Sequence, residues 1–113
     1  MPISPQPESD KPARERLPNR HACETLTFQH RGCDFTMTAG RYPDGRTGEI
    51  FINAGHANSA LDALASDAAI AVSFALQHGA DLAAIRSALK RDSLGVPASP
   101  IGQALDLIAE EGK

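Results

Sequence analysis

The sequence predicts an α+β fold: a three-stranded antiparallel β-meander followed by three helices packed on one face of the sheet. Three observations predict it. Apolar and polar residues alternate with period two between residues 24 and 53, the spacing of half-buried strands. From residue 60 onward apolar residues recur at helical spacing. Strands grouped ahead of helices, rather than alternating with them, belong to α+β architecture. At 113 residues the chain has the length of one domain. Apolar residues make up 42% and aromatics only 4%, so the core is expected to come largely from Ala, Leu and Ile. A formal charge of −3 excludes a strongly basic nucleic-acid binder as the default, and nucleic acid is not an expected partner. So small a domain rarely supplies both the deep pocket and the lid of a multi-step enzyme.

Residues 1–22 hold five of the eight prolines and few large apolar side chains, too little to offset the entropy of ordering. They read as a flexible tail ahead of a single domain over 23–113. Between residues 11 and 20, Lys11, Arg14, Arg16 and Arg20 outweigh Glu15, so the tail has a second reading as a basic arm for an acidic or phosphate-bearing partner. Glu24–His30 and Cys33–Ala39 then alternate as two strands joined by Arg31-Gly32. A two-residue loop pairs His30 with Cys33, Phe28 with Phe35 and Leu26 with Met37. Tyr42-Pro-Asp-Gly-Arg46 is a turn, because proline presets φ and Gly45 tolerates a left-handed conformation. Strand three is expected over Thr47–Asn53, with Ile50 and Ile52 inward and Glu49 and Phe51 on the other face. Ser59 is an N-cap with Asp62 in capping-box position, starting a helix to His78 that stops at Gly79. Asp62, Ser66, Ser73 and Gln77 form its polar stripe, and the rest is so apolar that burial on most sides is expected. Asp81 caps a second helix running to about Arg91, where Lys90 and Arg91 would meet the negative end of the dipole. Ser99-Pro100 opens a third helix, with Ile101, Leu105 and Ile108 on its inner face.

The first residues do not match a secretory signal, and the two carboxylates within Ala60–Leu76 argue against a membrane span, so the cytoplasm is the expected location. Two cysteines do not make a disulfide scaffold. His21, Cys23, His30 and Cys33 have the ligand types of a zinc site. The hairpin opposes that set, since Cys23 and His30 lie near opposite ends of one strand, roughly 23 Å apart at about 3.3 Å per residue. No metal and no cofactor is therefore expected, and Cys33 reads as a core thiol; a Cys33–His30 nucleophile pair would lack an orienting third group. The loop from Gly55 through His56 and Asn58 to Ser59 sits at a helix N-terminus and could meet a phosphate-bearing ligand, although every capped helix offers as much and plain capping is the first reading. Glu49 and Asn53 could form a polar contact site on the outer strand face, where a plain solvated face is the first reading. The alanine-rich helix offers a seam for a homodimer, since burying more surface would help a core poor in large side chains.

The stretch Gly48-Glu-Ile-Phe-Ile-Asn53, the small residues Gly55 and Ser59, the helix ending Leu76-Gln-His-Gly79, and Asp81 to Leu89 with Ile85 four residues before Leu89 together resemble the TSCPD domain family. The resemblance covers roughly residues 24–90. Members of that family stand at the C-terminal end of adenosylcobalamin (vitamin B12)-dependent ribonucleotide reductases and also occur as small separate proteins. The Thr-Ser-Cys-Pro-Asp string is absent here, and no cysteine lies beyond Cys33, so no C-terminal metal or thiol pair carries over. The resemblance implies a non-catalytic accessory or interaction module in deoxyribonucleotide metabolism. Its partner would be a ribonucleotide reductase or a related protein, and Glu49, Phe51, Asn53, Gly55, His56, Asn58 and Ser59 are its candidate contacts. Reductase activity would need the catalytic domain, because two cysteines do not sustain a thiyl radical and a dithiol reductant. The alternative is a self-associating binding domain with an unrelated protein or a phosphate-bearing ligand as partner.

Overall fold

The computed structural model describes residues 13–55 and 59–111. Three strands, β1 (Ala22–His30), β2 (Cys33–Arg41) and β3 (Thr47–Ala54), form one antiparallel sheet in the order β1-β2-β3. The expected register holds: His30 faces Cys33, Phe28 faces Phe35 and Leu26 faces Met37. The hairpin closes through Arg31 at φ 51° and Gly32 at φ 82°, the two left-handed positions whose twist matches paired strands. Three helices follow, α1 (Ala60–Gln77), α2 (Leu82–Ala88) and α3 (Pro100–Glu111), which confirms the α+β class. Phe35, Met37 and Ala39 of β2, Ile50 and Ile52 of β3, Ala65, Ala69 and Leu76 of α1, and Ile101, Ala104, Leu105 and Ile108 of α3 make the core.

The helix ends follow their caps. The Ser59 side chain accepts from the Asp62 N–H, and α1 stops in a Schellman arrangement, with Gly79 N–H donating to Leu76 O and Ala80 N–H to Ala75 O. Ser99 Oγ accepts from Gly102 N–H at the start of α3. The second helix is shorter than expected. Leu89 is already extended at ψ 151°, and the following residues turn away, so Lys90 and Arg91 are not on a helix end. Arg91 instead makes a two-pronged contact with Asp106 of α3, which Arg86 of α2 also reaches at 2.7 Å. These guanidinium groups, Arg91 foremost, hold the Asp106 carboxyl down at about 2.

The expected burial of α1 on most sides does not hold. Its polar stripe faces the sheet, not solvent. Ser73 Oγ accepts from Ile50 N–H at 2.7 Å and contacts Ile50 O at 3.0 Å, Gln77 donates to Gly48 O, and Asp62 accepts from Ala54 N–H. Those are backbone groups on the outer edge of β3, where no further strand pairs among the described residues. The opposite half of α1 is exposed and apolar: Leu61, Leu64, Ile70 and Phe74 are 38%, 70%, 42% and 45% exposed. By length and composition α1 is apolar enough to cross a membrane; here it lies along β3.

Cys33 is exposed rather than in the core, at the turn end of the hairpin. Its partner His30 is buried and engaged by Gln103 of α3, which leaves no Cys33–His30 pair for nucleophilic work. Residues 13–21 lie against the domain, with Glu15 N–H donating to Gln77 O, Tyr42 Oη donating to Glu15 O, and the Arg14 guanidinium over the Phe74 ring at 4.3 Å. Residues 1–12 of the expected flexible tail lie outside the described residues.

Candidate functional site

The face of the sheet away from the helices carries the candidate residues of β3. The register puts Cys23, Gly40 and Glu49 in one row across the three strands, then Thr25, Thr38 and Phe51, then Thr27, Thr36 and Asn53. Phe51 is 45% exposed among threonines, and Thr25 Oγ1 meets Thr38 Oγ1 at 2.9 Å. The structure does not bring all the expected contacts together. Glu49 and Asn53 are four residues apart on one strand, about 13 Å at strand spacing. Gly55 lies past the far end of β3, donating to Asp34 O, and Ser59 is occupied as the cap of α1. His56 and Asn58 lie outside the described residues.

The Gly55–Ser59 segment offers an anion less than its composition suggests. Asp62 places a carboxylate in the first turn of α1 and turns back to Ala54 N–H, so negative charge already stands at that helix end.

The cross-strand row at Glu49 is the denser chemistry. Gly40 is in the middle of that row, and a Cβ there would fall 2.6 Å from Glu49 Oε2 and 2.7 Å from Glu49 Cγ. The missing side chain lets Glu49 lie across β2 toward β1. His21, just ahead of β1, bonds Pro18 O through Nδ1 at 2.6 Å and Glu49 Oε2 through Nε2 at 2.7 Å. The Pro18 carbonyl and, after it, the Glu49 carboxylate raise the proton affinity of the imidazole. The ligand atoms of His21, Cys23 and Glu49 all lie within 4.8 Å of one another. The expectation that no four-residue zinc set forms from His21, Cys23, His30 and Cys33 agrees with this hairpin, which holds the first two and the last two at opposite ends. The sequence reading missed Glu49 as the neighbour of His21 and Cys23, although the strand register contains it.

The second feature is the outward half of α1. At 100° per residue, Leu61, Leu64, Ile70 and Phe74 fall within roughly 180° of its circumference, together with Ala60, Ala63 and Ala71. Asp67 and His78 are the polar residues in that arc. Such a face is apolar enough to hold a protein surface.

Comparison with known proteins finds relatives named as vitamin B12-dependent ribonucleotide reductases. The vitamin B12-dependent ribonucleotide reductase of Rhodopirellula baltica is 37% identical over 75 residues, 66% of this chain and 7% of that protein. The enzyme of the same name from Streptantibioticus cattleyicolor is 38% identical over 72 residues, 64% of this chain and 12% of its own length. That of Agrobacterium fabrum is 39% identical over 69 residues, covering 61% and 5%. The chain thus matches only a small part of each relative. No solved structure gives a significant match. Residues 6–110 match the TSCPD domain, which takes in the whole sheet, all but the last residue of α3, and part of the segment ahead of β1: the chain belongs to the TSCPD domain family.

Proposed function

We propose that this protein is a non-catalytic interaction module that works in the cytoplasm in deoxyribonucleotide metabolism and docks on a ribonucleotide reductase through the outward half of α1. The observation that carries this reading is the exposed apolar face of Leu61, Leu64, Ile70 and Phe74 on a helix whose Asp62, Ser73 and Gln77 are engaged on the sheet edge. The relatives support the choice of partner, because in proteins named as vitamin B12-dependent ribonucleotide reductases the matching segment is a small part of a much longer chain. The placement of the thiols supports the absence of catalysis. Cys23 and Cys33 are seven ladder rows apart, roughly 23 Å at about 3.3 Å per residue, so they do not form a dithiol.

The test is direct binding of the full chain to the purified reductase of the same organism, followed by titration calorimetry. Micromolar or tighter binding that Leu64→Asp abolishes supports the proposal. Binding to neither reductase nor nucleotide overturns it. A dimer that forms without reductase and dissociates in the same variant would favour the alternative of a self-associating domain, since that face would then serve a second copy.

A further inference from the structure

We propose that His21, Cys23 and Glu49 form a divalent-cation site, suited to Zn²⁺, on the open face of the sheet. This inference is independent of the docking proposal. The row Cys23–Gly40–Glu49 brings a thiol from one outer strand and a carboxylate from the other over a central residue with no side chain. His21 reaches the same point from the segment ahead of β1, and the three ligand atoms lie within 4.8 Å of one another.

The ring of His21 is set for ligation. Nδ1 stands 2.6 Å from Pro18 O, so the Nδ1 proton donates to that carbonyl and fixes the ring. Nε2 is then the nitrogen that faces Glu49. A backbone carbonyl on the far nitrogen is the usual outer support of a metal-bound histidine. Nε2 faces a carboxyl oxygen of Glu49, and either a proton or a metal ion can sit between the two atoms. Nitrogen, sulfur and carboxylate oxygen together suit zinc, whereas Mg²⁺ and Ca²⁺ favour oxygen alone.

The movement needed is small. Bond lengths near 2.0–2.3 Å in tetrahedral geometry separate ligand atoms by about 3.4–3.6 Å. The 2.7 Å contact of Nε2 with Oε2 widens to that value as the ion enters, and the other ligand separations close from at most 4.8 Å. Three protein ligands leave a fourth position for water or a donor from another molecule. Side chains of His21 and Glu49 are 17% and 18% exposed, and Cys23 is exposed, so that position opens to solvent. The ion would also tie residues 18–21 to the sheet.

The full chain, stripped of metal by a chelator, is titrated with Co²⁺ and then Zn²⁺. One equivalent of Co²⁺ is expected to bind with a thiolate-to-cobalt charge-transfer band in the near ultraviolet, displaced by Zn²⁺. Cys23→Ser should remove that band, and Glu49→Gln should weaken binding about ten-fold or more. Cys33→Ser should behave as the parent chain. A second readout needs no variant: Zn²⁺ should slow alkylation of Cys23 and leave that of Cys33 unchanged, both thiols being exposed in the same molecule. Absence of the charge-transfer band, its loss in Cys33→Ser, or equal alkylation of the two thiols with Zn²⁺ present would overturn the site.

Discussion

Asp106 accepts from Arg91 Nη2 at 2.7 Å, from Arg91 Nη1 at 3.0 Å and from Arg86 Nε at 2.7 Å, and it is the carboxylate that fastens α2 and the loop after it to α3. Its carboxyl is held at about 2, below the ordinary 3.8. A depressed acid stabilises the fold above the unfolded value and loses that contribution as pH falls through the folded one. The contribution should be complete at neutral pH and fade between about pH 4 and pH 2. With the partners partly exposed, it is on the order of 1–2 kcal/mol. Urea denaturation of the parent and of Asp106→Asn should differ by about that amount at pH 7 and converge near pH 2. A difference that stays constant with pH would mean that the charge plays no part. Arg31 is the other telling residue. It stands at φ 51°, where asparagine is more at ease than arginine. Arg31→Asn should raise stability by about 0.5 kcal/mol, seen as a higher denaturant midpoint with unchanged slope.

At the scale of elements, α1 acts as the cover of a sheet edge. An unpaired edge strand invites pairing with another chain. Here the side chains of Asp62, Ser73 and Gln77 take up N–H and C=O groups of β3 that a fourth strand would otherwise seek. Ser73 is 6% exposed and bridges Ile50 N–H and C=O. Ser73→Ala removes only an oxygen atom but leaves buried backbone groups without a partner, a loss of about 1–3 kcal/mol. Thermal unfolding should show the lower stability, and light scattering should show earlier aggregation. An alanine variant as stable as the parent would mean that water replaces the hydroxyl. The ends of the elements were legible in the sequence because their signals are local: Ser59 and Ser99 as caps, Gly79 as the stop, Arg31-Gly32 as the turn. The end of α2 was not, since Arg91 answers to Asp106, a residue 15 positions away, rather than to its own helix dipole.

For the whole molecule, using the polar stripe of α1 on the sheet leaves the apolar half outside. Leu64 is 70% exposed, so its replacement touches little of the core. Leu64→Asp should change folding stability by no more than about 0.5–1 kcal/mol, by denaturant titration. A larger loss would mean that the face already packs within the chain, and the docking proposal would lose its surface. The segment before β1 completes this side: Arg14 lies over Phe74, and its Nε donates to Gln77 at 2.6 Å. Composition pointed to proline and charge in that segment but not to these contacts, which depend on where α1 ends relative to the turn at Tyr42.

The sequence by itself determined the α+β class, the order of elements and the register of the first hairpin. Period-two alternation and a two-residue turn allow one pairing of Phe28 with Phe35 and Leu26 with Met37. It also carried the family, in Glu49, Phe51 and the glycines around them. Only the tertiary structure decided which half of α1 faces outward. A helix with one polar stripe can turn that stripe to water or to a strand edge, and the unpaired N–H and C=O groups of β3 made the second choice the better one. The meeting of His21, Cys23 and Glu49 was decided at the same level. They are up to 28 positions apart in the chain, and they converge because two ladders of pairing carry Cys23 and Glu49 to either side of a glycine.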